Sequence, residues 1–194
     1  RKASGRRLGV AYYRRFYPAL GRIKEILDSG EIGRPVLAQA DAFEYFNRSP
    51  GEPRAWLLDP ARSGGGPLMD FGCHRIEFLL NLFGRPERVD GFVDRLRFER
   101  RVEDTALTVL TFPGALQALL RVSHAVEESR DSLDIYGTDG SIHVPVLNAG
   151  EFVVRTAEGE RREVHPRAEN PHLPLVEDFI RLLIIIKHRC CRFR

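Results

Sequence analysis

The chain has 194 residues, 43% of them hydrophobic and 29% charged, enough apolar material for one domain with a buried core and too much for an intrinsically disordered chain. No apolar run approaches the roughly 20 residues of a membrane span; the longest, Leu182 to Ile186, is far shorter. The net charge of +3 is carried by the ends, because residues 1–7 and 187–194 each hold four basic residues and no acid; without them 22 basic residues face 27 acidic ones, a net of −5, which argues against a nucleic-acid-binding face on the body of the fold.

In chain order, Leu8–Phe16 is apolar and aromatic and reads as a strand. Pro18–Ser29 reads as a helix, with proline in its first turn, Leu20, Ile23 and Leu27 on one face, and Gly30 as its stop. Pro35–Phe46 is extended, and 47–66, with three prolines and three successive glycines, is a long loop of the kind that carries function. Leu68–Phe83 is the clearest helix: Phe71, Ile76, Leu79, Leu80 and Phe83 form its apolar stripe, and Gly84 and Pro86 end it. Strands follow over Arg88–Phe98, Thr105–Phe112, Leu116–Val126, Ser132–Tyr136, Ser141–Val146, Phe152–Thr156 and Arg162–Val164, punctuated by Pro113-Gly114, Asp139-Gly140 and Glu158-Gly159. A last helix spans Leu173–Ile186.

This order predicts an α+β fold: a largely antiparallel open sheet with helices on one face. One domain is expected over 8–186, with basic, fraying ends at 1–7 and 187–194. Along Leu116–Val126 one side presents Leu116, Ala118, Leu120 and Val122, and the other Gln117, Leu119, Arg121 and Ser123. A face so mixed suits solvent or a partner subunit, and a homodimer through it is expected. Cys73, Cys190 and Cys191 form no CxxC pair and no disulfide framework, so a reducing cytoplasm is the expected setting. The chain opens at Arg1 rather than Met, which we read as a cut inside a longer protein or an incomplete frame.

The chemically informative segment is Ser63-Gly64-Gly65-Gly66-Pro67-Leu68-Met69-Asp70-Phe71-Gly72-Cys73-His74. Its glycines allow close backbone approach to a ligand, and they lead into a helix whose first amides favour polar or anionic groups. Asp70 and His74 are four apart, on one helical face, where a carboxylate raises an imidazole pKa and orients it for proton exchange. Such a pair is also a common helix-surface contact, and a Gly run before a helix is commonly just a turn. No GxGxxG or Walker spacing is present. No third ligand joins Asp70 and His74 at a recognisable metal spacing, so no metal is expected.

Gly64 through His74 resembles the GGG-x-L-x-D-x-G-x-H segment of the Gfo/Idh/MocA oxidoreductases. Ala11 through Pro18 resembles their entry into the second domain, and Gly30-Glu31-Ile32-Gly33 their G-x-I-G stop. Trp56 through Asp59-Pro60 resembles a W-x-x-D-P loop, Glu103-Asp104-Thr105-Ala106 a V-E-D-x-A segment, and Ile135 through Gly140 an I-x-G-T-x-G turn. The resemblance covers roughly residues 8 to 181. It implies the C-terminal domain of an NAD- or NADP-dependent enzyme acting on a sugar, polyol or related hydroxy compound. His74 would then share in proton transfer and Asp70 would bind substrate or assist it. Tyr13, Arg14, Arg15, Trp56, Gly65 and Gly66 would line the substrate or cofactor site. Read without the resemblance, Trp56 anchors its loop and Arg14 and Arg15 are surface charges.

Several features depart from that pattern. The strand-GxGxxG-helix unit and the Glu-Lys-Pro segment that supplies the family's lysine are missing. The chain alone is therefore expected neither to hold the dinucleotide tightly nor to turn over substrate. Glu77 stands where an aspartate is usual, and Leu57 follows Trp56 where an arginine is frequent. Leu182–Ile186 runs into Lys187–Arg194, which does not resemble the family's polar, Gly-rich continuation. The competing expectation is a non-catalytic binding or oligomerisation module of the same fold.

Overall fold

A computed structural model describes residues 8–191, with the side chains of the last helix described through Ile184. Helix α1 (Pro18–Ser29) buries Ala19, Leu20, Ile23 and Ile26. It ends on Gly30, whose φ of 75° places it in the left-handed region; its N–H bonds the carbonyls of Ile26 and Leu27, a cap that a β-carbon would strain. Strand β1 (Pro35–Tyr45) follows. The predicted loop then holds a 3-10 turn, Ala55–Leu58, and one short helix, α2 (Pro60–Ser63), capped by the Asp59 side chain accepting from the Ala61 amide. Helix α3 (Cys73–Phe83) is entered through a π turn over Leu68–Gly72.

The remaining strands are β2 (Arg88–Asp94), β3 (Thr105–Thr111), β4 (Gln117–Ser123), β5 (Ala125–Gly137), β6 (Gly140–Val146), β7 (Glu151–Thr156) and β8 (Gly159–Val164); α4 (Leu173–Cys191) closes the described chain. One sheet of eight strands runs β2-β3-β4-β1-β5-β6-β7-β8. Its neighbours are antiparallel except for β1 with β4. Period-two alternation sends Ala38, Ala40 and Ala42, Leu120 and Val122, Leu133 and Ile135, and Phe152 and Val154 to one face, where they meet α1 and α3 in the core. The fold is the mostly antiparallel α+β architecture the sequence predicts, with the helices α1 and α3 on one face. No helix among the described residues is long and apolar enough to cross a membrane.

Four local expectations are corrected. Leu8–Phe16 forms no strand: Tyr12 and Tyr13 donate to the carbonyls two residues back, and Arg14–Phe16 is a 3-10 turn. Its strand-favouring aromatics are spent on packing against His74 and His172. Leu116–Val126 breaks at His124, whose amide donates to Asp104 and whose carbonyl accepts from Phe46; β4 and β5 then lie on opposite sides of β1. Strand β5 starts well before Ser132, because its charged stretch pairs with β1 through Phe43–Arg130 and Ala42–Asp131. The helix expected over Leu173–Ile186 continues in its backbone to Cys191. Residues 1–7 and 192–194, parts of the ends expected to fray, lie outside the described residues.

Candidate functional site

A cleft of about 640 Å³ opens between the π turn, the end of β1 and the β5–β6 pair, lined among others by Arg14, Glu44, Arg54, Asp70, Arg75 and Asp131. Asp70 projects from the π turn. Its Oδ2 accepts from Arg54 at 3.0 Å and lies 3.5 Å from Nε2 of His124. Glu44, on β1, approaches the same pair, 3.4 Å from Arg54 and 3.7 Å from His124. Burial pushes the Asp70 carboxyl up, but His124 and Arg54 outweigh it and hold the group below the ordinary carboxylate value.

His124 is fully buried at the β4–β5 break, its ring packed on Phe46 and Phe71. Its Nδ1 faces the Arg100 guanidinium at 3.2 Å. Arginine can only donate, so Nδ1 accepts and the ring proton of the neutral tautomer sits on Nε2, toward Asp70. The donor atoms of Glu44, Asp70 and His124 all lie within 4.8 Å of one another. A cation there would need the Nε2 lone pair, which the Arg100 contact assigns to a proton, and Arg54 already bridges both carboxylates. The cluster therefore positions Asp70 rather than offering a metal its ligands. His124, Glu44 and Arg54 were not singled out from sequence; the available signal was a lone histidine inside the run read as one strand, Leu116–Val126.

His74 lies one turn beyond Asp70, on α3, half-buried between the rings of Tyr12 and Tyr13 at centroid distances of 5.4 and 5.6 Å. Among the described residues no hydrogen bond or ion pair joins it to Asp70, and its buried Nδ1 has no hydrogen-bond partner. Burial first, then the guanidiniums of Arg14 and Arg75, push its imidazole down to about 4, against a smaller upward pull from Asp70. This corrects the expectation of a raised imidazole pKa: the wider π turn and the competing Arg54 and His124 leave Asp70 too weakly coupled to win.

The other predicted residues separate. Arg14 is buried and lines the Asp70 cleft. Tyr13 packs on Tyr17, His74 and His172. Arg15 turns the other way, to Glu77 at 3.6 Å and Asp178 at 3.8 Å. Trp56 is 44% exposed and lines a separate cleft with Arg48, Arg62 and Arg101; the inward position of its turn is taken by Leu57. Gly66 is close-packed: a β-carbon there would lie 2.0 Å from the Glu103 carbonyl oxygen. Gly65 packs on Met69 and borders a small cleft with Val93 and Arg101. The glycine run thus seats the helix start on the Glu103 segment.

A family model described as the GFO/IDH/MocA C-terminal domain matches residues 20–143. Among curated proteins, the chain is 32% identical over 169 residues to trans-1,2-dihydrobenzene-1,2-diol dehydrogenase of Mus musculus, covering 85% of this chain and 47% of that protein. It is 29% identical over 142 residues to D-xylose 1-dehydrogenase (NADP(+)) of Haloarcula marismortui, covering 71% of this chain and 39% of that one. The chain thus spans less than half the length of these two relatives. Similar folds are seen in an oxidoreductase from Thermotoga maritima (TM-score 0.75, 21% identity, 93% of this chain and 53% of that one). Levoglucosan dehydrogenase in complex with NADH and levoglucosan is a further match (TM-score 0.70, 22% identity, 80% and 46%).

Proposed function

The chain belongs to the Gfo/Idh/MocA oxidoreductase family, and from that premise we propose that it forms the substrate-side domain of an NAD- or NADP-dependent dehydrogenase acting on a CH–OH group of a sugar, a polyol or a related hydroxy compound. The observation that carries this reading is the ionised carboxylate of Asp70 at the cleft, with a neutral imidazole one helical turn away. Asp70 accepts a hydrogen bond from the substrate hydroxyl and orients it. We assign the proton that the hydroxyl gives up to Nε2 of His74, because its Nδ1 is buried away from solvent. The dinucleotide, when bound, supplies the hydride acceptor. Gly64–Gly66 does not act as its phosphate cradle, because Gly66 packs on Glu103. The chain alone therefore holds NAD(P) weakly and turns nothing over. The cytoplasm remains the setting we assign to the reaction, on cysteine usage.

Two measurements test this. Mixing the chain with NAD or NADP and D-xylose should give no absorbance change at 340 nm; hydride transfer would refute the division of labour. Titrating the chain with D-xylose should shift amide resonances around Asp70 and His74. Shifts confined to the sheet's other face would remove the site.

A second reading, a pairing module, is favoured by one observation. Leu37 and Tyr136, register partners on the face away from the helices, are 45% and 41% exposed, and Phe92 on the same face is 70% exposed. We assign this face to a homodimer contact. Sedimentation should report a dimer that Phe92→Glu weakens; a monomer at every concentration would exclude it.

A further inference from the structure

Arg14 is 9% exposed and lines the cleft; its guanidinium lies over the Tyr13 ring at 5.2 Å, yet among the described residues it makes no hydrogen bond and no ion pair. The other lining cations are engaged. Arg54 meets Asp70 and Glu44. Arg75, 5% exposed, holds Asp131 at 2.6 Å and donates to the Phe71 carbonyl. Arg130 donates to the Ser132 hydroxyl at 3.1 Å and lies 3.5 Å from Asp41. Of the lining acids, Glu128 has no arginine partner, but it is exposed and solvated. Arg14 also lies near enough to Arg75 to push that guanidinium's pKa down, after the larger effect of burial. A buried, unpaired guanidinium beside a second one is costly unless an anion completes the site.

Arg14 is the one lining guanidinium that no carboxylate meets among the described residues. With the solvated Glu128 set aside, the other three lining arginines match three carboxylates, so a highly charged anion would also meet Asp70, Glu44 and Asp131. A planar carboxylate matches the guanidinium fork and can accept two of its N–H donors. We propose, resting on the dehydrogenase reading above, that the substrate is a hydroxy acid of sugar size, a uronic or aldonic acid, whose carboxylate pairs with Arg14 while its reacting hydroxyl faces Asp70. The cleft, at about 640 Å³, falls within the range of small-molecule sites and has room for a six-carbon acid.

The test is calorimetric and NMR titration of the chain with D-glucuronate, D-glucose, the methyl ester of D-glucuronate and inorganic phosphate. Glucuronate is expected to bind roughly 10–100-fold more tightly than glucose or the ester, the range of a hydrogen bond to a charged group. Arg14→Gln should erase that preference, Arg14→Lys should keep part of it, and Arg15→Gln should leave it intact. The ester comparison needs no variant, so it decides the matter even where Arg14→Gln does not fold. Equal binding of glucuronate, its ester and glucose overturns the carboxylate but leaves a hydroxyl-binding dehydrogenase site standing. Phosphate binding more tightly than glucuronate overturns it in favour of a phosphate anion. No binding of any of them overturns both readings.

Discussion

Nε2 of His124 lies 3.5 Å from the carboxylate of Asp70, so Asp70 faces a histidine fifty-four positions away rather than the one four positions along its own helix. The pairing links three elements: the π turn, the β4–β5 break and, through Arg100, the segment before β3. Together with the Arg54 hydrogen bond, it surrounds the group we assign to substrate binding. It also leaves His74 without a hydrogen-bonded carboxylate.

Replacing His124 by phenylalanine keeps a ring against Phe46 and Phe71 but removes the proton aimed at Asp70. The Asp70 carboxyl should then titrate closer to the ordinary carboxylate value, read by carbon-13 NMR of the side-chain carboxyl. Stability should fall by about 1–2 kcal/mol, because Arg100 loses one acceptor and keeps the Phe46 and Glu103 carbonyls. An unchanged Asp70 midpoint would mean that Arg54 alone holds the carboxylate.

Asp104 should be a stability determinant with an acid-labile signature. It is fully buried and accepts from the amides of Leu96, Arg97 and Phe98 and from the Thr105 hydroxyl at 2.9–3.0 Å. Burial pushes its carboxyl up, but those donors hold it below the ordinary value. With the folded pKa depressed, its contribution is full above the unfolded value and is lost as pH falls through the folded one. Asp104→Asn should cost on the order of 2–3 kcal/mol at pH 7, about 5–10 °C in Tm, and the gap to the parent should narrow in acid. A constant gap from pH 7 to 3 would contradict the assignment.

Much of this architecture is legible in sequence because its physics is periodic. Alternation in Thr105–Thr111 and Gln117–Ser123 gives the core face of the sheet, and Leu20, Ile23 and Gly30 give α1 and its end. The site is less legible because it is assembled from breaks. Asp70 sits in a π turn that a 3.6-residue pattern cannot distinguish from an α-helix. His124 interrupts an apolar run that reads as one strand, Glu44 ends β1, and Arg54 comes from a loop in which no period guides placement. Arg14 and Arg15 are adjacent and chemically identical, and only tertiary packing buries one and exposes the other.

Gly66 tests the close packing beneath the site. A β-carbon there would collide with the carbonyl of Glu103, a backbone atom that cannot rotate away. Gly66→Ala should destabilise by about 3 kcal/mol or more, measured as a lower urea midpoint with an unchanged slope. A midpoint within error of the parent would show that the Glu103 segment can yield, and that Gly66 is kept for another reason.

The last prediction concerns proton traffic at His74. Its imidazole, pushed to about 4 in the folded chain, has an ordinary value near 6.5 when unfolded. Between those two pH values the unfolded chain takes up a proton that the folded one refuses, so stability should decline as pH falls from about 6.5 toward 4 and level off below. The His74 ring resonances should show no titration step near 6.5. Because Arg14 ranks second after burial among the causes of this depression, Arg14→Gln should move the His74 midpoint upward, and a carboxylate bound at Arg14 should do the same in the unaltered chain. That shared direction ties substrate charge to the protonation of the proposed base: an acid in the cleft neutralises the guanidinium that discourages the imidazolium, and so makes His74 a better proton acceptor when substrate is present. A His74 midpoint that ignores both the substitution and glucuronate would break that link.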